Sequence, residues 1–123
     1  NPMLDGGICD PIPFRKACED GYDQMVLVLT RNKGYRKEEK EVKLPPFFYH
    51  KYPALKNRLC HRMREYNKTM DEIEMMEKNN QAIVIRPQKP LVVDRIEQNI
   101  KKLTDLYEEG YYCAEAVFSA VNL

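Results

Sequence analysis

Met25-Val26-Leu27-Val28-Leu29 is an unbroken run of five apolar residues, closed by Thr30 and Arg31. Such a run, too short for a helix and without alternation, reads as a strand buried on both faces of a parallel sheet. Upstream, Asp10-Pro11-Ile12-Pro13 sets up a short helix from about Pro13 to Asp20, with Gly21 as its stop. Further upstream, Met3 and Leu4 run into Asp5-Gly6-Gly7. An apolar pair before two glycines reads as the tail of a strand entering a turn, with Asp5 at the strand's carboxyl end. Strand, helix, strand is a βαβ unit.

Downstream, Leu55, Leu59, Met63, Tyr66, Met70, Ile73 and Met76 recur at steps of three and four, which predicts a long amphipathic helix over 54–78. Ala82-Ile83-Val84-Ile85 reads as a second buried strand, stopped by Arg86-Pro87. Ile96, Ile100, Leu103 and Tyr107 mark another helix starting near Asp94, and Gly110 is expected to divide it from a last helix carrying Cys113, Ala116, Val117 and Ala120. Pro45, Pro46 and Pro53 bracket Phe47, Phe48, Tyr49 and Tyr52, read as an aromatic turn under the sheet. The order places the chain in the α/β class, as a partial three-layer αβα sandwich with a small, mostly parallel sheet. Parallel strands need cover on both faces, so the missing strands are expected from sequence upstream or from a second copy of the chain.

The 123 residues fit one domain, and 20 Lys and Arg against 19 Asp and Glu leave a net charge of +1. That balance excludes a global field that would gather nucleic acid. Cys9, Cys18, Cys60 and Cys113 form no C-x-x-C pair and read as reduced, buried thiols; no metal site is expected. A cytoplasmic compartment follows, and no apolar run is long enough to span a bilayer.

Leu4-Asp5-Gly6-Gly7-Ile8, then Asp10-Pro11-Ile12-Pro13, Ala17, Gly21, Asp23 and the Leu29-Thr30-Arg31 strand end, together resemble a conserved block of bacterial patatin-like phospholipases. The Leu44-Pro45-Pro46 stretch, the Met-rich helix, Ile85-Arg86-Pro87 and the residues around Leu106-Tyr107 and Gly110-Tyr111 are similar to that family's C-terminal portion. The resemblance implies that residues 1–123 are the C-terminal part of a patatin-like catalytic domain. It further implies a serine acyl hydrolase, acting on lipid or other carboxylic esters through a Ser-Asp dyad, in which Asp5 is the catalytic aspartate. Gly6 and Gly7 are the backbone turn beside it, free of a Cβ that would block the nucleophile.

No glycine-rich oxyanion loop and no G-x-S-x-G elbow is present. The one serine, Ser119, lies in Val117-Phe118-Ser119-Ala120-Val121 without flanking glycines, and reads as a hydroxyl on a terminal helix. The nucleophile is therefore expected outside the chain, and residues 1–123 alone are expected to be inactive. His50 and His61 read as structural or exposed. Arg31, Lys33, Arg36 and Lys37 read as a solvated loop diluted by Glu38, Glu39 and Glu41, with contact to lipid headgroups at a membrane surface as the alternative. Exposed sheet edges or the Met-rich face predict self-association. Neither an organic cofactor nor nucleic acid is implied. The rival reading is a non-catalytic interaction or regulatory α/β domain, in which Asp5-Gly6-Gly7 is only a turn.

Overall fold

A computed structural model describes residues 3–39, 50–94 and 96–121. The fold is α/β, with three α-helices and a two-stranded parallel sheet among the described residues. Contacts divide the chain into two compact units, one of residues 1–22 and 36–76, the other of residues 23–35 and 77–123.

The first unit begins with a 3-10 turn, Gly6–Ile8, followed by α1, Phe14–Glu19. Gly21 stops α1 at a φ of +89°. Its N–H donates to the Cys18 carbonyl and that of Tyr22 to the Ala17 carbonyl, each at 3.1 Å. This double bond pattern satisfies two carbonyls that a helix end leaves open, and it needs a left-handed residue where only glycine is unstrained.

Helix α2, Pro53–Lys78, follows the predicted span within one residue, its last two residues counting with the second unit. Tyr66, Thr69, Met70 and Ile73 are its buried residues, and Met70 and Ile73 are wholly enclosed. Steps of three and four keep them on one stripe. Arg15 of α1 pairs with Glu72 at 2.7 Å and donates to Thr69 Oγ1 at 3.3 Å. Asn67 clasps the extended chain at Lys37, accepting its N–H at 2.7 Å and donating to its carbonyl at 2.9 Å.

In the second unit, β1 (Met25–Val28) pairs in parallel with β2 (Ala82–Ile85), Met25 opposite Ala82 and Val28 opposite Ile85. The ladder runs on through Leu29, whose N–H donates to the Ile85 carbonyl at 2.8 Å. Strand β1 is not buried on both faces as its composition predicts. Val26 and Val28 are 46% and 72% exposed, whereas β2 is buried at Ala82, Val84 and Ile85. Within this unit α3 (Ile100–Val121) lies against β2. The cover is placed on β2, and composition cannot specify which strand receives it.

Two helix boundaries differ from expectation. Helix α3 starts at Ile100 because Asn99 caps it, its Oδ1 accepting the Lys102 N–H at 3.3 Å. It then runs through Gly110 without a break. A helical glycine costs only about 1 kcal/mol, less than the flanking helix formers and the packing against β2 supply. The stripe Ile96, Ile100, Leu103 and Tyr107, which marks a helix in the sequence, is 85%, 78%, 43% and 74% exposed. The inward face is instead the one bearing Cys113, the one buried residue described on α3.

Residues 45–49 of the aromatic turn lie outside the described residues; Tyr52 is exposed. All four cysteines are free, but only Cys113 is buried, so the expectation of four buried thiols holds at one position. No described helix is long and apolar enough to cross a membrane.

Candidate functional site

The candidate aspartate sits differently from its reading as a strand end. Met3 and Leu4 are 90% and 66% exposed and belong to no strand. Asp5 caps the 3-10 turn, its Oδ1 accepting the Gly7 N–H at 2.8 Å. The Asp-Gly-Gly stretch is thus an Asx-type turn closed on itself, with the Ile8 N–H donating to the Asp5 carbonyl at 3.1 Å. Short polar side chains bond the backbone two residues on, and this local bond outcompetes strand pairing for an isolated Met-Leu pair.

The two glycines serve different ends. A Cβ on Gly7 would stand 3.2 Å from Asp5 Oδ1, tighter than ordinary contact, whereas one on Gly6 would meet nothing within 4 Å. Neither has a positive φ. A side chain at Gly7 would push the Asp5 carboxylate aside by a few tenths of an ångström, whereas one at Gly6 would enter open space. Among the described residues no other hydrogen bond reaches that carboxylate; Asp5 and Gly6 are exposed, Gly7 and Ile8 half-buried, and Oδ2 is left as an acceptor.

Among the described residues of the first unit, no side chain hydrogen-bonds the Asp5 carboxylate. Ser119 is an exposed residue of α3 in the second unit, while Asp5 is in the first. His61 bonds the Asn57 carbonyl at 2.9 Å on its own helix, and His50 is exposed. Among the described residues no group of three or more His, Cys, Asp or Glu is placed to hold a metal ion.

The basic loop is engaged rather than free. Arg36 meets Asp71 at 2.6 Å and Glu74 at 3.0 Å. Its bond to Glu74 first, with Asp71 adding to it against the cost of burial, raises the guanidinium above its ordinary pKa. Lys37 lies 3.9 Å over the Tyr66 ring and Arg31 4.9 Å over the Tyr35 ring. Lys33 pairs with Glu77 at 3.3 Å.

That last pair belongs to a constellation the sequence reading passed over. Glu77 also holds Arg86 at 2.5 Å, and the Arg86 side chain is only 8% exposed. Arg86 read as a strand stop. The signal was an arginine directly after four apolar residues, where continuation of the buried strand carries the charge inward.

A family model for a domain of unknown function, DUF6363, matches residues 52–122. That span is more than half of the 123 residues. The chain belongs to the DUF6363 family. No patatin-like family matches, and the resemblance read from Leu4-Asp5-Gly6-Gly7-Ile8 and its neighbours is corrected accordingly. The physical reason is that those residues spell common local devices, an Asx turn, a proline-led helix start and a glycine stop, which unrelated α/β proteins share. The DUF6363 match takes in α2, β2 and α3 and leaves Asp5, Gly6 and Gly7 outside it. No curated protein and no solved structure matches the chain.

Proposed function

We propose that Asp5 is the general base of an acyl-ester hydrolase whose serine nucleophile lies outside residues 1–123. The observation that carries the reading is the exposed Asp5 carboxylate, fixed through Oδ1 by the Gly7 N–H, with no hydrogen bond to Oδ2 among the described residues. A carboxylate oriented by one oxygen and accepting through the other is suited to a single proton transfer. Oδ2 takes the proton of a serine hydroxyl as that oxygen adds to the ester carbonyl. The alcohol leaves with the proton, and water then releases the acyl group from serine as a carboxylic acid. The two-stranded sheet is then part of a larger three-layer αβα sandwich, a reading supported by the bare Val26 and Val28 face of β1. Four free thiols, three of them exposed, favour a reducing, cytoplasmic compartment.

The test is hydrolysis of a nitrophenyl butyrate by the full-length gene product and its Asp5→Ala variant. A fall in kcat of roughly 10²–10⁴-fold is the loss expected for a general base. Unchanged turnover would remove Asp5 from the chemistry. A second reading, a non-catalytic interaction module, is favoured by the DUF6363 match, which omits Asp5, and by the bare stripe on α3. On that reading Asp5→Ala alters nothing, and the chain self-associates through the stripe, so its sedimentation coefficient rises across micromolar concentrations.

A further inference from the structure

Beyond that reading, the second unit carries a cleft of about 350 Å³, within the range of small-ligand pockets. One end is ionic. Glu77 is shared between Arg86 at 2.5 Å and Lys33 at 3.3 Å, so two cations face one carboxylate and a single positive charge is left over. The other end is apolar, walled by Val84 of β2 and by Val117 and Ala120 of α3. Small Ala side chains on that wall leave room along the helix.

The ionic end is incomplete in one specific way. Arg86 Nη1 is shut off from solvent and has no hydrogen-bond partner among the described residues, although the side chain as a whole is more than nine-tenths buried. A buried guanidinium N–H without an acceptor is costly, and such groups are ordinarily matched by a carboxylate or a phosphate. Glu77 holds Arg86 through Nη2, which leaves Nη1 without an acceptor on a residue that lines the cleft. Lys33, with a side chain 70% exposed, can follow the same charge.

We infer that this cleft binds a monocarboxylate with an unbranched apolar tail of medium length, the carboxylate on Arg86 and Lys33 and the tail along Val84, Val117 and Ala120. The surplus of one positive charge matches a monoanion better than a phosphate dianion, and the cleft volume suits a chain of medium length. Nothing in this assignment depends on Asp5.

The experiment is calorimetric titration of the full chain with octanoate, hexanoate, octanol and octyl phosphate. Octanoate binds, octanol does so at least about tenfold more weakly for want of a charge-assisted bond, and each CH₂ removed weakens binding by up to about fourfold. Arg86→Met lowers octanoate affinity about tenfold or more. Should that variant unfold, Lys33→Gln and Ala120→Leu at exposed positions keep the question open to decision. The first is expected to weaken binding about two- to fivefold, and the second to block the tail. Absence of octanoate binding, equal affinity for octanol, tighter binding of octyl phosphate, or indifference to both exposed-site variants would each overturn the assignment.

Discussion

Helices α2 and α3 invert what their compositions suggest. Helix α2 is crowded with Lys, Arg, Asp and Glu, yet buries Tyr66, Thr69, Met70 and Ile73; α3 is the more apolar, yet buries Cys113 alone among its described side chains. The contrast shows that spacing marks a stripe, while only packing decides whether a stripe is covered. On α2 the stripe and the buried face coincide. On α3 the bulky stripe through Ile100, Leu103 and Tyr107 stands in solvent, and the face with the smaller Cys113 is turned inward.

Truncations on the two helices test that contrast most severely. Ile73→Ala, at a fully enclosed side chain, is expected to cost about 2–5 kcal/mol in urea unfolding. Tyr107→Ala, at a 74% exposed one, should stay within about 0.5 kcal/mol. Comparable losses at both would mean that α3's stripe is covered in solution. A smaller effect is expected at Asn67, where Ala removes both bonds to the Lys37 backbone from a half-buried position. About 1–3 kcal/mol should be lost, with faster amide exchange at Lys37 as the local signature. Gly21→Ala forces a Cβ into a φ of +89° and should cost about 1–2 kcal/mol, read from the shift in Tm.

The smallest effect belongs to the start of α3. Glu97 accepts the Asn99 and Gln98 N–H groups at 3.0 Å and meets Lys102 at 3.1 Å. The Asn99 bond foremost, then the Lys102 bond, holds its pKa below the usual glutamate value. A depressed carboxylate stabilises the fold above its unfolded pKa and loses that contribution as pH falls through its folded one. Amides of the first turn of α3 should therefore lose exchange protection on acidification below the ordinary glutamate range. Glu97→Gln should remove the pH dependence, and persistence of it in that variant would assign the effect to another carboxylate.

Much of the scaffold could be read from local chemistry. The five apolar residues from Met25, the four from Ala82, the three-and-four stepping of α2 and the Gly21 stop each encode their structure within a few residues, and each was found where expected. Asp5 was singled out by sequence as well, but its reading as a strand end gave way to an Asx turn because the nearest acceptor for the Gly7 N–H is its own side chain. Arg86 escaped notice because its significance is not local: Glu77 reaches it from nine residues back, and Lys33, from another segment of the unit, meets that same Glu77.

By itself, then, the sequence determined the α/β class, the two short apolar strands and the bounds of the long helix, since hydrogen bonding and hydrophobic periodicity act over one or two turns. Tertiary structure alone decided which face of α3 turns inward, which strand is covered, and that two cations converge on one carboxylate beside an apolar wall. Those outcomes depend on which distant surfaces meet, and the free energy of that meeting is not written in any single segment.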